Sequence, residues 1–116
     1  MALVLVIDQS FDSLVHLAEL FQTNGHECRL ASSWKMALEH LLIEAFDFIL
    51  CDYCIDGEDV FWFIRHLETL KISSPYVVMS DDVGIKKKIL MDGFEVGFCL
   101  KPVVWDDLYS QINHQL

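Results

Sequence analysis

The sequence predicts a doubly wound α/β domain, in which helices cover both faces of a parallel five-stranded sheet. Five short apolar runs, of the kind that forms buried strands, alternate along the chain with stretches of helical periodicity. A strand-helix alternation of this kind favours parallel strands joined by helical crossovers. The chain has 116 residues, and 53% of them are hydrophobic, so we expect one domain with its own core over residues 1–116.

The five predicted strands are short and mostly apolar. The first, third and fourth are nearly continuous apolar runs, which is typical of strands that are buried on both faces of a sheet. The predicted strands span residues 2–7, 27–31, 48–51, 76–79 and 98–100.

Helical periodicity follows each of these strands. The predicted apolar faces are Leu14, Leu17, Ala18 and Phe21; then Ala37, Leu38 and Leu41; then Val60, Ile64 and Leu67; and finally Trp105, Leu108, Tyr109, Ile112 and Leu116. A further helix is predicted over residues 83–91, where three lysines interrupt the apolar pattern and Asp92-Gly93 would end the helix.

Trp62 lies outside this pattern of apolar faces. At about 100° per residue it points away from the side that Val60, Ile64 and Leu67 define, so we predict that it is substantially exposed. An exposed tryptophan is either incidental or the anchor of a protein interface, and the sequence leaves both readings open.

The balance of charge and hydropathy excludes several classes of function. With 18 acidic and 8 basic side chains, the formal charge of −10 disfavours direct binding to nucleic acid. No apolar run approaches the roughly 18 residues that span a membrane, and the apolar start lacks the basic flank of a signal peptide. We therefore expect a cytoplasmic protein that does not bind membranes.

The segment Cys51-Asp52-Tyr53-Cys54 contains either a thiol pair or a functional carboxylate. Four cysteines without a secretory signal indicate reduced thiols, and Cys51 belongs to an apolar strand, where its thiol faces the core. The other possible zinc ligands are scattered singly along the chain: His16, His26, His40, His66, His114, Cys28 and Cys99. We therefore assign the chemistry of this segment to Asp52.

Polar residues follow four of the predicted strands. Asp8, Asp52, Ser80 and Lys101 stand at strand ends that share one edge of a parallel sheet, the edge where such folds place their sites. Neighbouring carboxylates suit Mg²⁺, and one of them can attack a phosphoryl donor while the lysine and the hydroxyl bind the transferred oxygens. The acidic loop after the first strand argues against a flavin phosphate site, so no organic cofactor is expected.

In these segments the sequence resembles the receiver domains of bacterial two-component response regulators. The similar segments are LVLVID (3–8), FDFILCD (46–52), PYVVMS (75–80) and GFCLKP (97–102). The resemblance implies the flavodoxin-like strand order 2-1-3-4-5 and a cis peptide bond between Lys101 and Pro102.

The resemblance also implies roles for individual residues. Asp52 would be the phosphoacceptor, Lys101 would bind the phosphoryl group, Ser80 would be the switch hydroxyl and Phe98 the aromatic switch residue. The implied Mg²⁺ ligands are Asp8, Asp52 and the backbone carbonyl of Cys54.

The implied function is that of a phosphoprotein in signal transduction. A histidine kinase or a phosphotransfer protein of a phosphorelay would phosphorylate Asp52, and the face of helix 4, strand 5 and helix 5 would then change its contact with a downstream protein. The domain would not be an enzyme beyond promoting transfer to itself.

Three positions depart from the family pattern. Gln9 replaces the second acidic residue and would be a weak or absent Mg²⁺ ligand, so cation binding would be weak. Asp81 replaces a small residue, and it would repel an incoming phosphoryl group, point to solvent, or supply the acid that Gln9 lacks. Asp56 stands where proline is common before Gly57. The alternative function is therefore a pseudo-receiver, which binds proteins without phosphorylation.

Overall fold

The computed structural model describes residues 1–91 and 96–115, which form a parallel sheet between two layers of helices. Its strands are β1 Leu3–Ile7, β2 Glu27–Ala31, β3 Phe48–Asp52, β4 Tyr76–Ser80 and β5 Gly97–Leu100. Its helices are α1 Phe11–Thr23, α2 Trp34–Ile43, α3 Val60–Thr69, α4 Val83–Met91 and α5 Trp105–Gln115. The strand order is β2-β1-β3-β4-β5, and every neighbouring pair is parallel, so the predicted fold class and strand order are confirmed.

Apolar side chains from the two faces of the sheet form two cores. In β1, Val4 and Val6 point to the core beneath α1 and α5, while Leu5 and Ile7 point to the core beneath α2, α3 and α4. All four are buried, because successive side chains of a strand point to opposite faces and both faces are covered. The continuous apolar strands of the sequence reflect this double coverage.

Short polar side chains fix the start of three helices. The hydroxyls of Ser10 and Ser33 accept hydrogen bonds from the backbone N–H groups of Ser13 and Met36, and these bonds cap α1 and α2. Asp59 caps α3 by accepting hydrogen bonds from two backbone N–H groups. The loop after β1 therefore ends at Ser10, and the loop after β3 ends at Asp59.

The apolar face predicted for α5 is only partly correct. Leu108 is buried, but 51% of Tyr109 is exposed, because Tyr109 lies against Trp105 on the outer side of the helix rather than beneath it. The predicted face member Leu116, and the predicted helix end at Asp92-Gly93, lie outside the described residues.

The prediction that Trp62 is substantially exposed is wrong. Trp62 is partly buried against the core of α2, α3 and α4, and its ring packs on His66 with 4.1 Å between the ring centroids. Helical periodicity gives the direction of a side chain but not the reach of an indole ring, which here packs on His66 one turn further along the helix. α3 also buries Phe61 and Phe63, so its apolar face is wider than predicted.

The loop after β3 contains a short hairpin that was not predicted. Cys54–Ile55 pairs antiparallel with Glu58–Asp59, and the two residues between them have positive φ angles of 50° at Asp56 and 80° at Gly57. This is the two-residue turn that Asp-Gly favours, because both positions require the left-handed region. The Asp56-Gly57 dipeptide was the signal in the sequence.

None of the helices within residues 1–91 and 96–115 combines the length and the apolar run that crossing a bilayer requires.

Candidate functional site

The carboxyl ends of the strands bring two carboxylates and an ammonium group together. The Nζ atom of Lys101, just after β5, lies 2.8 Å from Oδ2 of Asp8 and 3.2 Å from Oδ1 of Asp52. Asp8 follows β1 and Asp52 ends β3, and these two strands are neighbours in the sheet. Lys101 therefore bridges the two carboxylates that the sequence placed at this edge.

Asp8 is fully buried, and its carboxylate is satisfied by three donors. Oδ1 accepts a hydrogen bond from the backbone N–H of Ser10, and Oδ2 accepts hydrogen bonds from the Ser13 hydroxyl and from Lys101. Burial by itself raises the pKa of Asp8, but these hydrogen bonds outweigh burial and hold its pKa below the usual value. Asp8 is therefore ionised at neutral pH.

Ser13 is a site residue that the sequence reasoning missed. Its hydroxyl reaches Asp8 because the capped start of α1 turns its first residues toward the end of β1. A serine in the first turn of a helix has no distinctive signal in a sequence, since serine is common there for capping alone.

Asp52 differs from Asp8 in its protonation. Burial, followed by the negative charge of Asp8, raises the pKa of Asp52 to about 6 from the usual 3.8, despite the opposing effect of Lys101. The two carboxylates in turn raise the pKa of Lys101, although burial alone would lower it. Without a further cation the site therefore holds two negative charges and one positive charge above about pH 6.

A cavity beside Asp52 is lined by Ser80, the hydroxyl that the sequence predicted at this edge. Ser80 is buried at the end of β4, and its Oγ accepts a hydrogen bond from the backbone N–H of Asp82. The cavity is lined by Asp52, Tyr53, Cys54, Ser80, Asp81 and Lys101. The peptide bond between Lys101 and Pro102 is cis, as expected.

Gln9 and Asp81, two of the three departures from the family pattern, lie in different surroundings. Gln9 is exposed, and its Oε1 accepts a hydrogen bond of 3.1 Å from the backbone N–H of Asp56 in the hairpin turn. Asp81 is exposed and lines the cavity beside Asp52, and it also lines a groove against α1. Asp81 thus adds negative charge at the entrance of the site.

The donors at this edge fit a hard divalent cation held by few protein ligands. One carboxyl oxygen of Asp8 and one of Asp52 lie 2.8 Å and 3.2 Å from the same Lys101 Nζ atom, and oxygen ligands are those that Mg²⁺ prefers. Among the described residues, no group of three or more histidine, cysteine or acidic side chains forms a metal cluster. A cation here would therefore keep several waters, as Mg²⁺ commonly does.

Phe98, the predicted aromatic switch residue, is half-buried in β5. Its backbone N–H donates a hydrogen bond to Oε1 of Gln111 on α5. Its side chain lines a groove together with Val83 and Lys86 of α4 and Asp107 of α5. The switch role of Phe98 stays a prediction.

The thiols of the Cys51–Cys54 segment point in different directions. Cys51 is buried in the core, where burial raises the pKa of its thiol, whereas Cys54 is exposed in the hairpin. Burial also raises the pKa of both Cys28 and Cys99 to about 11 from the usual 9.0.

We expect a thiol reagent at pH 8 to modify Cys54 quickly and the other three cysteines slowly. Cys54 is exposed, and thiols react as the thiolate. A pKa two units higher lowers the thiolate fraction of Cys28 and Cys99 about 100-fold. A colorimetric disulfide reagent should therefore give one fast equivalent, and Cys54→Ser should remove it. Two fast equivalents in the wild-type chain would contradict the slow reaction expected of Cys28, Cys51 and Cys99.

Curated relatives of the chain are transcriptional regulators. The "Transcriptional regulatory protein ZraR" of Escherichia coli K12 is 23% identical over 97% of this chain, and that of Klebsiella oxytoca is 25% identical over the same share. The chain spans only 26% of the length of each of these relatives. No protein-family model matches the chain.

Solved structures of receiver domains superpose over almost the whole chain. The Francisella response regulator 1452 receiver domain is 24% identical, with a TM-score of 0.83 over 99% of this chain and 96% of its own. The Vibrio cholerae chemotaxis protein CheY4 is 22% identical, with a TM-score of 0.86 over 100% and 99%. By its topology and these superpositions, the chain has the fold of response regulator receiver domains.

Proposed function

We propose that this domain accepts a phosphoryl group on Asp52 and uses it as a signal. The observation that carries the proposal is the bridge from Lys101 to both Asp8 and Asp52, at the mouth of a cavity that also contains Ser80. A carboxylate, an ammonium group and a hydroxyl in one cavity can attack, bind and position a phosphoryl group.

In the proposed reaction, an ionised oxygen of Asp52 attacks the phosphorus of the donor. The bond from phosphorus to the leaving group breaks, the leaving group takes the electron pair, and an acyl phosphate remains on Asp52. Because the pKa of Asp52 is about 6, its carboxyl group is ionised in most molecules at neutral pH and can attack as a nucleophile. Lys101 then binds a phosphoryl oxygen, and Ser80 donates a hydrogen bond to another.

Asp8, Asp52 and the backbone carbonyl of Cys54 would hold a Mg²⁺ ion in this proposal, with Gln9 a weak or absent ligand. Bound Mg²⁺ would neutralise negative charge on the phosphoryl oxygens. The role of Asp8 is to present an oxygen that is charged at neutral pH, because its pKa lies below the usual value.

The donor would be a histidine kinase or a phosphotransfer protein, and the output would be a contact with a downstream protein. The groove between α4, β5 and α5 supports this output, because Phe98 lines it and the fold connects it to Ser80 through the backbone bond from Lys101 N–H to the Ser80 carbonyl. Movement of Ser80 toward a phosphoryl group would bias the position of Phe98.

The pseudo-receiver is a second candidate function, and two observations favour it. Gln9 brings no charge to the cation site, and Asp81 adds a carboxylate beside Asp52. In that case the groove between α4, β5 and α5 would bind a protein without phosphorylation of Asp52.

Intact-mass measurement after incubation with phosphoramidate and Mg²⁺ separates the two functions. We expect an adduct with the mass of one phosphoryl group, which disappears with Asp52→Asn and with a chelator. Asp106→Asn is the matched control, because it removes an exposed carboxylate that does not line the cavity beside Asp52, and it should keep the adduct. A folded wild-type chain with no adduct at any Mg²⁺ concentration would favour the pseudo-receiver.

A further inference from the structure

The side chain of Gln9 joins two loops at the edge of the candidate site. Gln9 belongs to the loop between β1 and α1, and Asp56 belongs to the turn of the hairpin after β3. The Gln9 Oε1 atom accepts a hydrogen bond of 3.1 Å from the Asp56 backbone N–H, across 47 residues of sequence. The amide side chain therefore acts as a tie between the two loops.

The two residues of this tie are both departures from the sequence pattern of receiver domains. Proline, which is common at position 56 of that pattern, has no N–H to donate and cannot adopt the φ angle of 50° that Asp56 has. An acidic residue at position 9 would carry a charge toward the cation site. Asp56 supplies a backbone N–H that proline would lack, and Gln9 supplies an uncharged acceptor. Together they allow a hydrogen bond between the two loops that adds no charge at the site.

A second tie holds the opposite side of the same turn. The indole Nε1–H of Trp34 in α2 donates a hydrogen bond of 3.1 Å to the Glu58 backbone carbonyl. Trp34 is itself fixed, because it is buried and its ring stacks on Phe63 with 4.9 Å between the centroids. Gly57 thus lies between two anchored positions.

We propose that Gln9 is a positioning residue, which holds the Asp56-Gly57 turn against the loop after β1 in the absence of a cation and does not serve as a cation ligand. The turn belongs to the hairpin that carries Cys54, whose backbone carbonyl is a ligand of the proposed cation site. The link between Gln9 and cation binding therefore rests on the proposed function. Gln9 then builds part of the site before any cation binds, and the cation meets a loop already in place.

The inference is tested by the exchange rate of the Asp56 backbone amide hydrogen in the metal-free protein, measured by NMR. Gln9→Met keeps the size of the side chain but removes the acceptor, and we expect it to speed exchange of this amide about three- to tenfold. Gln9→Glu keeps an acceptor at the same reach and should retain slow exchange. Gln22→Met, on the exposed side of α1, is the matched control and should leave Asp56 unchanged.

A second arm adds Mg²⁺ to the wild-type chain. We expect the Asp56 amide to exchange as slowly as in the metal-free chain, because Gln9 stays on the turn. If Gln9→Met left Asp56 exchange unchanged, or if Mg²⁺ sped it to the rate of Gln9→Met, the inference would be overturned. The metal-free arm requires neither phosphorylation nor cation binding, so it can fail or succeed independently of the phosphoryl transfer to Asp52.

Discussion

Replacing Lys101 with methionine is expected to destabilise the folded domain by about 2–4 kcal/mol at pH 8. The ammonium group of Lys101 is the cation that hydrogen-bonds both Asp8 and Asp52, and Asp8 is fully buried. Removing one partner of a buried ion pair leaves an uncompensated charge, which commonly costs about 3–5 kcal/mol. We expect a loss about 1 kcal/mol smaller than this range because the Lys101 side chain is 23% exposed to solvent, which screens the charges.

Urea unfolding at pH 8 measures this effect. Lys35→Met, at an exposed position of α2, is the matched control and should change stability little. Adding Asp52→Asn to Lys101→Met should recover much of the loss, because it removes one of the two like charges. A single variant as stable as the control would show that the bridge to Lys101 contributes little to the fold. A double variant without recovery would show that the loss does not come from the charge of Asp52.

Asp52→Asn alone is expected to stabilise the metal-free domain by about 1–3 kcal/mol at pH 8. The pKa of Asp52 is about 6 in the folded chain, against a usual 3.8 that we take for the unfolded chain. Between these values the folded state binds more protons than the unfolded state, so ionisation of Asp52 lowers stability progressively as the pH rises from about 4 to about 6. Above about pH 6 the destabilisation is complete, at about 1.4 kcal/mol for each unit of difference in pKa.

Thermal or urea unfolding of the wild-type domain and of Asp52→Asn, measured from pH 4 to pH 8, tests whether ionisation of Asp52 destabilises the fold. The stabilisation by Asp52→Asn should be largest at pH 8 and should shrink toward pH 4, where both chains carry a neutral side chain at position 52. A chelator must be present throughout, because a bound cation would relieve the same repulsion. Equal stability at pH 8, or a stabilisation that grows toward pH 4, would contradict the raised pKa.

Most of the fold was predictable because burial on both faces leaves a strong signal in the strands. β1, β3 and β4 are almost continuous apolar runs, and their ends fixed where Asp8, Asp52 and Ser80 would meet. Trp62 was not predictable from helical periodicity, since its exposure depends on the reach of its ring over His66. Periodicity gives the direction of a side chain but says nothing about its neighbour on the next turn.

The candidate site was predictable only in its charged parts. Strand ends locate Asp8 and Lys101, but the contact of Ser13 with Asp8 depends on how the first turn of α1 is set by its cap. The tie between Gln9 and Asp56 depends on a turn whose Asp-Gly signal is local, while its partner lies 47 residues away. Hydrogen bonds between loops of this kind follow from the assembled structure and have no periodic pattern in the sequence.

The separation of 93 residues between Lys101 and Asp8 has a consequence for the order of folding. A ribosome releases β1, β3 and β4 before Lys101, so a growing chain carries the two carboxylates for a time without their cation. Contacts between distant parts of a chain also form slowly, because closing a long loop costs entropy before the contact repays it. The bridge from Lys101 is therefore expected to form among the last contacts of the domain, and the acidic edge becomes stable only when the final strand has joined the sheet.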